Sequence, residues 1–275
     1  MNQEIVEQTE KSYDGVAQGY DDRHDASTNT QKRFWRILRP FSEYSKSAKS
    51  ILNIGCGTGR VLEMLQNKNA IGIDISKGML SFAKKKGFCV ARADAHQLPF
   101  ADCSFDLIVA GNGVFSYLNP EIIYDECFRV LADGGILCLH QYPQKIRHLR
   151  QLFSAPKTYT TKKYAIGDFD DYVNLATKSG LRLERKFQWR SLRQWPYVLP
   201  IYSPAQFLLT THWVLKFRKP GTRSNLRKSL TWVCPSCFQD LLNDDTSSWQ
   251  CSSCDKSYPI YQGFSDFGPI FDDEK

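Results

Sequence analysis

Residues 51 to 59 read Ile-Leu-Asn-Ile-Gly-Cys-Gly-Thr-Gly, an apolar run that ends in glycines at the alternate positions 55, 57 and 59. Val61, Leu62, Met64 and Leu65 then follow with helical spacing. A strand that runs into such a turn brings backbone against a ligand with no Cβ in the way. The spacing departs from the dinucleotide-binding G-x-G-x-x-G loop, because the third glycine comes one residue early. No Walker lysine follows Gly59, whose successors are Arg60 and Val61. Taken alone, the stretch is a βα turn shaped either for a nucleotide-type ligand or only for backbone geometry.

Downstream residues add to it. A second strand, Ala70 to Asp74, ends in an acid 15 residues after Gly59, and Ser76 opens a helix through Met79, Leu80 and Ala83. An acid at the carboxyl end of the second strand of a βαβ unit can accept both hydroxyls of a ribose. The competing reading of Asp74 is a strand-end carboxylate or helix cap. A short strand over Gly87 to Arg92 leads into Ala93-Asp94-Ala95-His96, and a buried strand over Ser104 to Val109 follows. Val130 to Gly135 then precede a strand from Ile136 to Leu139.

In this order and at these spacings the motifs resemble the class I S-adenosylmethionine-dependent methyltransferases, over at least residues 51–140 and as far as 13–219. The resemblance implies an α/β fold with a Rossmann-like sheet, mostly parallel, of seven strands with the last one antiparallel; His212 to Lys219 fits that last strand. It implies S-adenosylmethionine as cofactor. Gly55, Cys56, Gly57 and Gly59 would pass beneath its methionine part and sugar, with Asp74 and Ile75 at the ribose. Asp94 and Ala95 would meet the adenine, and Asn112 would touch the cofactor and open towards substrate. Tyr13 and Tyr20 resemble the N-terminal tyrosines that fold over the cofactor in small-molecule members, with ordinary helix packing as the alternative.

The chain departs from the family at Asn53, where an acid usually stands two residues before the first glycine. An amide accepts hydrogen bonds but brings no negative charge to the cofactor's ammonium, so Asn53 is expected to bind it more weakly. Gly111-Asn112-Gly113-Val114-Phe115 is not the Asn/Asp-Pro-Pro-aromatic signature of enzymes that methylate base amines. No Pro-Cys pair follows this strand either, so a covalent cytosine mechanism lacks its nucleophile. Methyl transfer from a sulfonium mainly needs in-line positioning in a pocket that excludes water. Where the acceptor must lose a proton, His140 and Tyr142 just past the fifth strand are the candidate bases, with His24 in the N-terminal segment as an outsider; the competing reading of His140 is a polar strand-end residue.

The nine cysteines fall into two groups. Cys56, Cys89, Cys103, Cys127 and Cys138 are scattered, as expected of reduced thiols in a cytoplasmic protein, and the polar residues 1–14 carry no secretory-signal pattern. The other four form Cys234-Pro-Ser-Cys237 and Cys251-Ser-Ser-Cys254, two C-x₂-C knuckles with 13 residues between them. This spacing lets two tight turns hold four thiolates around one zinc. With Tyr258-Pro-Ile-Tyr-Gln-Gly263 the segment resembles the small zinc ribbons that activate tRNA and protein methyltransferases, and the ribbons fused to rRNA guanine methyltransferases. A closed four-thiolate site implies a structural zinc, which folds a unit too small for its own core and leaves its surface to dock the catalytic part or a protein partner.

Between these parts the charge is polarised: residues 144–232 hold 18 Lys and Arg against 4 acids, and residues 233–275 hold 2 against 8, within a net charge of +7. Arg182, Arg185, Lys186, Arg190 and Arg193 interleave with Phe187, Trp189 and Trp195, a composition that suits RNA and is equally common on solvated faces. Gln194 to Leu215 has no charged residue, but Pro196, Pro200 and Pro204 argue against a transmembrane span and for an apolar flap that packs on the core or touches a membrane surface peripherally. The expected organisation is an N-terminal helical lid (1–45), a methyltransferase domain (46–220), a linker (221–232) and a small four-cysteine zinc ribbon (233–275). The expected activity is methyl transfer to a small-molecule or lipid-like acceptor. RNA is the alternative acceptor, and a non-catalytic zinc-ribbon adaptor on a degenerate domain is the alternative outside enzymes.

Overall fold

The structure, a computed structural model, describes residues 3–25, 28–141, 169–190, 211–222, 225–243 and 247–269. Five strands alternate with helices in the first half of the chain: β1 (Ile51–Ile54), α4 (Arg60–Leu65), β2 (Ala70–Asp74), α5 (Lys77–Lys85), β3 (Cys89–Arg92), β4 (Phe105–Ala110), α6 (Pro120–Val130) and β5 (Leu131–Gln141). They follow α1 (Gln3–Asp14), α2 (Tyr20–Asp25) and α3 (Thr28–Ser45), and precede α7 (Phe169–Lys178), β6 (Arg182–Arg190) and β7 (Thr211–Arg218). Local chemistry sets the helix starts. Ser76 caps α5 by accepting the Met79 N–H at 3.1 Å, and Asn119 caps α6 by accepting the Glu121 N–H at 3.1 Å, with Pro120 in the first turn.

The strands lie in the order β6-β7-β5-β4-β1-β2-β3. Strands β1 to β5 pair in parallel, and β7 inserts antiparallel to both β5 and β6, as expected for residues 212–219. Alternate residues of each inner strand point to opposite faces, so both faces must be covered. Leu52, Ile71, Ile108, Leu137 and Leu139 pack under Ile123, Tyr124, Tyr172 and Ala176 of α6 and α7. Ile51, Ala70, Leu107, Val109 and Cys138 pack under Leu38 and Phe41 of α3, Leu62 and Leu65 of α4, and Leu80 of α5. The result is a three-layer α/β/α unit whose strand order reverses between β1 and β4, where ligands bind in open α/β sheets.

One expectation changes. The sequence suggests a seven-strand sheet with a separate ribbon, whereas the sheet continues through the ribbon to eleven strands. The ribbon strands are β8 (Leu241–Leu242), β9 (Ser248–Cys251), β10 (Ser257–Tyr261) and β11 (Phe264–Asp266). Strand β11 pairs in parallel with β3, Ser265 opposite Ala91 and Asp266 opposite Arg92. Residues joining the two parts also dock on the sheet unit: Trp232 bridges Phe100 and its ring lies 4.8 Å from the Phe100 ring and 5.0 Å from Phe267, with Trp249 at 6.3 Å. Residues 142–168 and 191–210, which hold Tyr142 and most of the uncharged segment, fall outside the described residues. Among the described residues no helix is long and apolar enough to cross a membrane.

The aromatic stack should carry much of the ribbon's attachment. Trp232→Ala is expected to lower the stability of the intact chain by about 2–4 kcal/mol in equilibrium denaturation, as for large-to-small changes at packed aromatic sites. A loss below about 0.5 kcal/mol, the level of an ordinary surface substitution, would show that the stack does not hold the parts together.

Candidate functional site

At the carboxyl ends of β1, β2 and β4 lies a cavity, partly open to solvent, floored by the glycine turn and roofed by α1 and α2. The turn is built for close approach. Gly57 has φ +54°, and a Cβ there would meet no protein atom within 4 Å, so the missing side chain leaves open space, while a Cβ on Gly55 would strike Val114 at 2.4 Å. The Gly57 N–H donates to Asp74 Oδ2 at 2.8 Å and the Ser76 N–H donates to Oδ1 at 3.0 Å. Burial raises the Asp74 pKa against these amide hydrogen bonds. Beside it, the Cys56 thiol is pushed well up by burial and stays protonated.

The other wall carries Asp94, Ala95 and a residue not singled out from the sequence, His96. The Asn119 N–H donates to His96 Nε2 at 2.7 Å, which leaves Nδ1 to donate to Asp94 Oδ1 at 2.6 Å. Asp94 Oδ2 is buried without a hydrogen-bond partner in a residue that lines the cavity. A buried carboxylate oxygen in that state calls for a donor from a ligand, and an exocyclic amine supplies one. The signal for His96 is its place two residues after Asp94, where it can bond back to that carboxylate.

The roof comes from the N-terminal helices. Val6, Thr9 and Tyr13 fall on one face of α1 and line the cavity with Tyr20. The Tyr13 ring meets Tyr117 edge-on at 6.0 Å, and burial, with Tyr117 close by, raises its hydroxyl pKa beyond the ordinary range. Two acids fasten the roof. Asp14 Oδ1 accepts the Ser76 hydroxyl at 2.5 Å and the Gly78 N–H at 2.8 Å, placing a negative charge at the start of α5. Asp21 accepts Thr58 Oγ1 at 2.6 Å and Lys86 Nζ at 2.5 Å; burial works against its charge, but these bonds outweigh it and lower its pKa.

Two expected residues stand elsewhere. Asn53 is fully buried and outside the cavity lining; its amide donates to the Ile54 and Val109 carbonyls at 3.3 and 3.2 Å. Its amide nitrogen therefore ties β1 to β4 beneath the turn, while its Oδ1 is buried without a hydrogen-bond partner. His140 is 2% exposed and accepts the Asn112 N–H on Nδ1 at 3.2 Å, while its carbonyl accepts the Gly113 N–H at 3.0 Å. His140 thus lies outside the cavity lining, with its Nδ1 engaged by the Gly111–Gly113 loop. Asn112 itself lines the cavity in the left-handed region at φ +55°. The side chain of His24 lies outside the described residues.

The second cluster is the cysteine tetrad. The Sγ atoms of Cys234, Cys237, Cys251 and Cys254 all lie within 4.8 Å of one another, with Cys234 and Cys254 at 3.6 Å and Cys237 and Cys251 at 3.4 Å. Tetrahedral zinc thiolates, with Zn–S near 2.3 Å, set sulfurs about 3.8 Å apart. The Tyr258 hydroxyl is 3.0 Å from Cys234 Sγ, and the Ser253 and Cys254 N–H groups donate to Cys251 Sγ at 3.4 Å each. All nine cysteines are free thiols.

Residues 52–139 match the family model described as a methyltransferase domain, a span that runs from the glycine turn through Asp74, Asp94 and Asn112. Over that span the chain is similar to a methyltransferase domain. The chain is 35% identical over 127 residues to an uncharacterised protein of Methanocaldococcus jannaschii, covering 45% of this chain and 47% of that one. It is 28% identical over 153 residues to the mouse protein named probable tRNA methyltransferase 9B, covering 54% and 34%. A demethylmenaquinone methyltransferase of Thermobifida fusca is 26% identical over 206 residues, covering 66% of this chain and 87% of that enzyme. The chain thus spans about half or less of the length of the first two relatives. Among solved structures, one from the complex between the Haloferax volcanii Trm112 methyltransferase activator and a methyltransferase superposes with a TM-score of 0.58 at 16% identity, covering 76% of this chain and 98% of that one. An S-adenosylmethionine-dependent methyltransferase of Methanosarcina mazei gives 0.50 at 20% identity, covering 63% and 93%. At these identities the structural likeness speaks for the fold. The family match and the relatives named as methyltransferases support S-adenosylmethionine-dependent methyl transfer.

Isothermal titration should show S-adenosylmethionine binding that weakens about 10- to 100-fold in Asp74→Ala, the loss of one or two charged hydrogen bonds. Because burial holds the Asp74 pKa above the ordinary 3.8, binding should be full above the raised value and fall as pH drops through it, starting above pH 3.8. Affinity that stays level down to pH 3.8, or an unchanged Asp74→Ala, would remove Asp74 from the ribose role.

Proposed function

We propose that the protein is an S-adenosylmethionine-dependent methyltransferase acting on a small or lipid-like acceptor. The observation that carries the cofactor is the pairing of Asp74, ready beside the open turn at Gly57, with the unpartnered Asp94 Oδ2 across the same cavity. Asp74 with Ile75 suits the ribose, Asp94 and Ala95 the adenine, and Gly55 to Gly59 the methionine part. When bound, S-adenosylmethionine supplies a methyl group already activated on its sulfonium. The chain's own residues then have to orient an acceptor, keep water out and, for acidic acceptors, find a route for one proton. Tyr13 and Tyr117 suit the second task, since they meet edge-on over the cavity. Asn112 is the residue of the β4 loop best set to meet an acceptor.

The choice of acceptor rests on the roof. Helices α1 and α2 leave a covered cavity that suits a compact molecule better than a polymer, and the relative matched over 87% of its length is named for a quinone-type acceptor. RNA is the second reading. It is favoured by the relative named for tRNA and by a cleft at the opposite end of the sheet that is lined by Lys49, Lys68, Arg227 and Lys228. The division into a lid (1–45), a methyltransferase domain (46–220), a linker (221–232) and a ribbon (233–275) with a structural zinc is part of the same proposal. The tetrad's geometry supports the metal, and no open position would remain for catalysis at it.

Two measurements test this reading. Metal analysis of the reduced protein should find one zinc per chain, and its absence would sink the ribbon assignment. Radiolabelled methyl transfer on cell extract separated into lipid, RNA and protein should label the small-molecule and lipid fraction. Label confined to RNA, with binding that weakens as salt rises, would replace the preferred acceptor by the second reading.

A further inference from the structure

Strands β2, β3 and β11 bring three charged residues to one level of the sheet: Asp74 pairs with Arg92 in register, and Arg92 with Asp266. The Arg92 guanidinium, with its side chain only 10% exposed, spends its donors on three parts of the chain. Nε donates to the carbonyl of Ile75 in the cavity wall at 2.9 Å. One terminal nitrogen donates to Asp266 Oδ1 of the ribbon at 3.0 Å, and the other to Glu10 Oε1 of the roof helix α1 at 2.6 Å. The backbone repeats the link, since the Phe267 N–H donates to the Arg92 carbonyl at 2.9 Å and the Ala93 N–H to that of Asp74 at 3.2 Å.

We propose that Asp266 is a positioning residue for the cofactor site, and that the ribbon acts through Arg92 to hold Ile75 and the roof helix in their binding arrangement. This rests on the cavity being the S-adenosylmethionine site. A guanidinium has a planar, fixed set of donors, so anchoring one of them on a 6% exposed carboxylate fixes where the others point. Without Asp266, Arg92 would sit almost buried with its charge poorly matched, and would turn towards Glu10 or water. Ile75, next to Asp74, and α1, which carries Tyr13, are the two elements that would then loosen. The second oxygen of Asp266 meets Lys77 at 2.9 Å, and Lys77 also lies over the Tyr261 ring at 5.2 Å. Lys77 thus holds the ribbon to α5 without taking part in the Arg92 fork.

That difference provides the test. S-adenosylmethionine affinity, melting temperature and zinc content are measured on the intact chain and on Asp266→Asn, Glu10→Gln and Lys77→Met. Asp266→Asn should weaken the cofactor about 5- to 50-fold, within the usual range of coupling between sites, while zinc stays as in wild type. Glu10→Gln, which leaves the ribbon untouched, should weaken it in the same direction and keeps the test open should Asp266→Asn not fold. Lys77→Met removes a ribbon contact but leaves the Asp266 Oδ1–Arg92 bond in place, so cofactor affinity should stay within about twofold, as for a site not coupled to the cavity. Wild-type affinity in both Asp266→Asn and Glu10→Gln overturns the proposal, as does an equal loss in Lys77→Met, which would mean that any loosened ribbon contact is enough. A wild-type chain that binds no cofactor instead overturns the proposed function on which this inference stands.

Discussion

The exposed edge of β3 is the constraint on which the arrangement turns. A parallel sheet needs both faces buried and its edge groups satisfied, and β3 would otherwise end the sheet with a row of unpaired amides and carbonyls. In this chain β11 takes the Ala91–Arg92 part of that row. The ribbon is thereby an extension of the sheet, with Phe264 and Phe267 each 2% exposed against the rest of the protein. A unit of this size has little apolar area to fold on, so its borrowed edge, with the zinc proposed on its four cysteines, would take the place of a larger core. The same pairing sets Asp266 beside Arg92, and through it the ribbon comes within one side chain of the cavity wall.

Inside the cavity, carboxylates are kept ready rather than free. Asp74 accepts amides of the turn and of α5, and Asp94 is held by His96 with one oxygen left over. Groups fixed in this way need little rearrangement when a ligand arrives, which favours binding through geometry already built. The roof follows the same logic. Asp14, Asp21 and Glu10 attach it to α5, to the glycine turn and to Arg92, so its tyrosines are held over the cavity by ion pairs and hydrogen bonds at their flanks. Links of that kind can be broken and remade, as a roof that admits a ligand requires.

Much of the site is legible in the sequence because it is local. The glycine turn, Asp74, Asp94 and the cysteine knuckles each depend on residues within a few positions of one another, and their spacing carries the geometry. Tyr13 and Tyr20 line the cavity. What escaped depends on neighbours distant in the chain. Asn53 stands before Gly55, and besides the neighbouring Ile54 carbonyl its amide reaches that of Val109, 56 positions away on β4. His140 looks like a base at a strand end, but the loop after β4 folds back and caps its ring. Arg92 and Asp266 lie 174 positions apart, and a parallel pairing between β3 and β11 leaves no mark in either segment. The eleven-strand sheet was illegible for the same reason.

Through Arg92 one network joins the cavity, its roof and the ribbon. Coupling of this kind is reciprocal, so a ligand in the cavity must steady the ribbon as much as the ribbon steadies the ligand. Amide hydrogen exchange of the intact zinc-loaded chain, with and without saturating S-adenosylmethionine, reads this directly. With the ligand bound, slower exchange is expected at residues 55–60 and 74–76, in α1, and also at residues 264–267 of the ribbon. Protection confined to the cavity and α1, with the ribbon unchanged, would contradict it.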